Sequence, residues 1–177
     1  MGIFALGLFI VVVIAGFAYA HASATKLRTA TWESLVAQIA AVPLTGIAAV
    51  ALDNLQPKEN QIELEPDDMW QMLGGTDGLD KMRRNADTLI ALAAYVQRWN
   101  YTEATVVAER MRRDAMQLKR ATRQIRTNLY FHRKAHTIPF HLHEAATAYH
   151  LMTQRLLALY QRSHIGLYPR LAESLSF

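Results

Sequence analysis

Four of the chain's seven histidines lie in one stretch, "HRKAHTIPFHLHE" (His132–Glu144), and His150 follows seven residues after His143. Imidazole and carboxylate groups are the usual ligands of zinc, iron and copper, so their spacing is the first chemistry to weigh. If the chain reverses near Thr137–Phe140, then His132, His136 and His143 converge, with Glu144 or His150 close by. Two motif tests argue against that chemistry. "HEAAT" begins like the HExxH helix of zinc hydrolases, but Thr147 stands where the second histidine belongs. The chain also has no Glu-x-x-His pair of the di-iron type. Histidines near a helix turn are more commonly held by backbone hydrogen bonds. No cofactor and no catalytic residue are therefore expected, and a transition metal on His132, His136 and His143 is the alternative.

A second group of side chains suits an anionic partner. Arg112, Lys119, Arg126 and Arg133 recur every seven residues, and Arg123 joins them, while Arg113, Arg120 and Lys134 point to the opposite, outer side of the same helix. Such a face fits anionic lipid headgroups or an acidic protein. Nucleic acid is not expected, because no helix-turn-helix, zinc finger or aromatic–basic interleaving accompanies it. The competing reading is internal. Residues 53–80 carry eight acids (Asp53, Glu59, Glu63, Glu65, Asp67, Asp68, Asp77, Asp80), and charges that flank a helical seam often pair with a neighbouring helix.

The elements that must position these groups read as helices. Ala104, Ala108, Met111, Ala115, Leu118, Thr122, Ile125 and Leu129 alternate four and three apart; so, further on, do Leu142, Ala145, Tyr149, Met152, Leu156 and Leu159. Both are heptad seams of the coiled-coil type. With "TIPF" between them they predict an antiparallel hairpin, small residues on one seam facing large ones on the other. An earlier helix runs from Leu79 to about Trp99, through Met82, Ala86, Leu89, Ile90, Ala93 and Val96. Asp77 or Thr76 can cap it, and Thr102 can start the helix that follows. Pro66-Asp67-Asp68 opens a short helix that Gly74 and Gly75 stop. No stretch carries a convincing strand pattern.

The amino-terminal stretch decides where the protein sits. Gly2–Ala20 has no charged residue, and at 1.5 Å per residue it covers about 28 Å, close to the hydrocarbon thickness of a bilayer. Ala18-Tyr19-Ala20, Ala20-His21-Ala22 and Ala22-Ser23-Ala24 also fit a signal-peptide cleavage site. The length of the run favours a retained helix. Lys26 and Arg28 after the run hold that side in the cytoplasm, with Tyr19 and Trp32 as interfacial anchors. Leu35–Leu52 is a second uncharged run, interrupted by Pro43, with Thr31, Ser34, Gln38 and Thr45 as a thin polar stripe. It reads as one amphipathic helix; were it instead a second span, the remainder would be exported.

The whole reads as an all-α protein: a transmembrane anchor (1–24), an apolar helix with an acidic, Pro-containing linker (25–65), a small antiparallel bundle of four or five helices (66–163) and a carboxyl-terminal tail (164–177). The expected role is a non-catalytic interaction or scaffold protein, single-pass in the cell membrane, with a protein partner or a second copy of itself. The alternatives are a metal-binding helical protein and an exported sensory module on a two-span hairpin. The absence of cysteine removes disulfides, thiolate nucleophiles and thiolate metal sites from all three.

Overall fold

In the computed structural model the described residues are 30–57, 64–130, 138–163 and 166–175. They are all-helical and form seven α-helices: α1 (Trp32–Val36), α2 (Leu44–Leu55), α3 (Pro66–Met72), α4 (Gly75–Tyr95), α5 (Tyr101–Tyr130), α6 (Ile138–Ser163) and α7 (Tyr168–Leu175). A 3-10 turn, Val96–Arg98, closes α4.

The α5–α6 hairpin is the frame. Asn100 bonds Ser163 at one end, and Asp114 pairs with Arg155 further along, so the two helices run antiparallel. Every seam residue expected on α6 is buried, and on α5 the seam is buried from Ala104 to Ile125. Leu129 is the exception and stays 40 % exposed, because it lies level with the first turns of α4 and α6, where the bundle runs out. Alanines at 104, 108 and 115 let the helices approach, and Tyr149, Met152 and Leu156 of α6 fill the interface. α4 lies antiparallel to α5, as Asp80–Arg126 with Asp87–Lys119 requires, and parallel to α6, as Asn85–Tyr149 with Leu92–Tyr160 requires. α2 lies on the far side of α6.

Several boundaries differ from the sequence expectation, each for a local reason. Leu35–Leu52 is two helices rather than one, because Pro43 lacks an N–H and disfavours helical backbone just before it. The polar stripe is spent locally: Thr31 caps α1 by accepting the Ser34 N–H, and Ser34 and Gln38 donate to the carbonyls of Thr31 and Ser34. Trp32 is core, 2 % exposed, and not an interfacial anchor. α4 starts at Gly75 rather than Leu79, since Gly74 adopts φ 76°, a left-handed conformation that turns the chain directly out of α3. Asn100, not Thr102, caps α5: its Oδ1 accepts the Glu103 N–H and its Nδ2 donates to the Glu103 carboxylate. Pro139 sits in the first turn of α6, so "TIPF" is partly helix rather than all turn. The tail contains α7, which buries Leu171 and Leu175.

Two features tie the amino-terminal helices to the bundle. Between α1 and α2 the chain is clamped by Asn85, which is 1 % exposed. Asn85 accepts the Ala40 N–H, donates to the Ala40 carbonyl and also donates to the Tyr149 hydroxyl. Burial pushes the Tyr149 hydroxyl up to about 12, against the pull of the Asn85 bond. Gly46 lets α2 cross α3 at close range; a Cβ there would lie 2.3 Å from the Met72 carbonyl oxygen. Among the described residues no helix is long and apolar enough to cross a membrane. The expected anchor, Gly2–Ala20, lies outside them.

Candidate functional site

α6 places His143 against α2, where it meets Asp53 from ninety residues earlier in the chain. Nε2 lies 2.9 Å from Asp53 Oδ2, and Nδ1 lies 3.1 Å from the Pro139 carbonyl one turn back. Both neighbours accept, so the ring satisfies both only with a hydrogen on each nitrogen, or with the second proton carried by Asp53. The two side chains are 3 % and 9 % exposed, and Asp53 also accepts the Leu64 N–H. This geometry ties α2 to α6 and leaves neither ring nitrogen for a metal.

Neither His141 nor His150 joins it. Glu144 faces His141, with Nδ1 3.3 Å from the carboxylate. His150 is half-buried, which holds its imidazole below the ordinary value of 6.5. His132 and His136 lie outside the described residues. Among the described residues no three His, Asp or Glu side chains are grouped as a metal would need. Beside His143, a shallow groove of about 150 Å³ runs between α2, α5 and α6, lined by Asn54, Gln117, Phe140 and Glu144. Small-molecule sites are typically about 300–1,000 Å³.

The basic row on α5 divides in two. Arg112, Lys119 and Arg126 flank the buried seam on the side of α4. Lys119 bonds Asp87 at 2.6 Å, Arg126 forms a two-oxygen contact with Asp80, and Arg112 pairs with Glu109 at 2.9 Å. These contacts occupy the heptad row within the chain, and the acids that take it up are Asp80 and Asp87 of α4 and Glu109 of α5 itself rather than those of the linker. Arg133 lies outside the described residues. Asp114, on the opposite flank, pairs with Arg155 of α6 and sets the register of the hairpin. Burial lowers the Arg155 guanidinium, and repulsion from Arg110 adds to the effect.

Arg123 belongs to a different surface. With Arg113 and Arg120 it lies on the outer face of α5, and these three arginines meet no acid among the described residues. Met116, at 62 % exposure, stands between them, and exposed Val106 precedes them on the helix. Spacing alone pointed to the row that the fold neutralises, and missed Val106 and Met116. The available signal was the phase of the seam: the row 112, 119, 126 borders it, whereas 113, 116, 120 and 123 face away.

The chain matches no protein-family profile, no curated protein sequence and no solved structure.

Proposed function

We propose that this protein is a membrane-anchored helical scaffold, without catalytic chemistry of its own, that presents the outer face of α5 to an acidic protein partner. The anchor is Gly2–Ala20, and Lys26 and Arg28 place the helical domain on the cytoplasmic side. The observation that carries the reading is the contrast between two rows of one helix. The inner bases are matched by acids; Arg113, Arg120 and Arg123 are not.

The composition of that face favours protein over lipid or nucleic acid. It carries arginine, Met116 and Val106, and protein interfaces are enriched in arginine and methionine and depleted in lysine. The planar guanidinium also suits a bidentate grip on carboxylates. A rigid helix of thirty residues, about 45 Å long, holds the groups in a fixed row.

The test is an Arg113→Glu, Arg120→Glu double variant of the full chain, solubilised in mild detergent from its native membrane. The native protein is expected to migrate as a larger complex at low salt and to lose it as salt rises, because exposed charges are screened within about 8 Å at physiological ionic strength. The double variant should lack the complex while keeping its helical content. An unchanged complex in the variant would defeat the proposal.

A further inference from the structure

The end of the bundle where α4 passes into α5 has a chemistry that the partner face does not use. Trp99 is 41 % and Tyr101 69 % exposed. Trp99 stacks edge-on against Tyr95, with ring centroids 5.4 Å apart, and the Arg98 guanidinium lies 4.2 Å over the Tyr95 ring. Arg162, at the end of α6, is 73 % exposed in its side chain and reaches Glu103 at 3.4 Å. Arg170 of α7 covers the Trp32 ring at 4.9 Å and lies 4.0 Å from Glu33. Exposed Trp and Tyr with arginines at one level is the composition of a protein segment at a bilayer interface, where ring bodies are apolar and rims are wet.

The chain path points the same way. Residues 1–29 join the described chain at Ala30, two residues before Trp32, and Trp32 lies at this same end, beneath Arg170 and beside Tyr160. Nine residues separate Ala20 from Ala30, and fully extended the stretch between those two reaches at most about 36 Å. Of the two ends this is the nearer: Leu92, whose carbonyl meets Tyr160 beside Trp32, stands three residues from the end of α4 and about 26 Å from its start at Gly75.

We propose that this end, formed by Arg98, Trp99, Tyr101, Arg162 and Arg170, is a second membrane contact seated among the headgroups of an anionic bilayer. The bundle then stands upright, and α5 projects away from the membrane with its outer arginines free for a protein. The inference rests on the membrane anchoring proposed above, and the two are separable by experiment.

The full chain is reconstituted into vesicles of phosphatidylcholine with phosphatidylglycerol, with bromine on the acyl chains near the headgroups. Retention after an alkaline wash reports the anchor; quenching of tryptophan emission reports the contact. The native chain should be quenched. Trp99→Phe should fall to the background of Trp32 and Trp70, and adding Tyr101→Trp to it should restore the quenching. Arg98→Glu with Arg162→Glu should reduce quenching in chains that are still retained. A retained chain whose quenching is unchanged by Trp99→Phe overturns the contact and leaves the anchor standing. Quenching gained by Met116→Trp in the Trp99→Phe background overturns it too, since α5 would then lie flat on the lipid. A chain removed by the wash overturns the anchor, and the contact with it.

Discussion

Replacing the partners of the Asp53–His143 pair one at a time should produce three distinct stabilities. In Asp53→Asn the amide keeps the carboxylate's shape and can donate to Nε2, while Nδ1–H still donates to the Pro139 carbonyl. Both ring nitrogens stay satisfied on a neutral imidazole, but the amide nitrogen takes the place of the oxygen that accepts the Leu64 N–H, so the cost should be about 1 kcal/mol. Asp53→Ala leaves Nε2 facing nothing in a site where the ring is 3 % exposed, at a cost of about 1–3 kcal/mol. His143→Ala removes the ring and leaves a carboxylate that is 9 % exposed. Removing one partner of a buried pair costs about 3–5 kcal/mol, and the Leu64 N–H kept by Asp53 places this variant near the lower bound. At about 2–4 °C per kcal/mol for a chain of this size, that is a fall of about 6–12 °C in Tm. Far-ultraviolet circular dichroism of the detergent-solubilised chain during thermal unfolding measures all three. Asp53→Leu with His143→Leu should recover most of the loss, since an apolar pair replaces the polar one. If Asp53→Asn unfolds as early as His143→Ala, the carboxylate does more than pair with the imidazole, and the reasoning fails.

Gly46→Ala should destabilise the chain by about 1–3 kcal/mol in the same assay, because the new methyl meets the backbone oxygen of Met72 and not a side chain that can move aside. His150, held below the ordinary imidazole value by burial, predicts a pH dependence of stability. Above 6.5 both states are neutral; as the pH falls through 6.5 the unfolded chain binds the proton first, so stability declines until the folded-state value is passed. His150→Gln should flatten that part of the profile, and an unflattened profile would assign the dependence to other groups. Lys119→Ala with Arg126→Ala should cost only about 0–2 kcal/mol of stability, since both pairs are surface-exposed. It should leave the low-salt complex intact, whereas Arg113→Glu with Arg120→Glu should do the reverse.

The long helices were legible because their seams repeat over many turns, and periodicity survives local noise. The α6 seam is buried at all six expected positions. What periodicity cannot supply is the neighbour. The Arg112–Lys119–Arg126 row is plain in the sequence, but its meaning depends on α4 presenting Asp80 and Asp87 at matching heights. The Asp53–His143 bond joins residues ninety positions apart, and no local pattern announces it. Trp32 shows the same limit in another form. Beside a basic flank it reads as an interfacial anchor, yet the packing of α1 on α4 makes it core, while Trp99 and Tyr101, which no flank singles out, are exposed. The break at Pro43 was legible, since proline interrupts a helix by its own chemistry; the apolar run on either side outweighed it.

The most direct test of the scaffold reading is a photoreactive diazirine side chain placed at Met116, at the centre of the outer α5 face, in the full chain in its own cell membrane. The same group at Gln154, exposed on α6, serves as control. The account predicts a protein adduct at position 116, absent at position 154 and lost with Arg113→Glu and Arg120→Glu, whose crosslinked peptide is rich in Asp and Glu. Adducts to lipid at position 116, or protein adducts indifferent to the charge reversal, would contradict it.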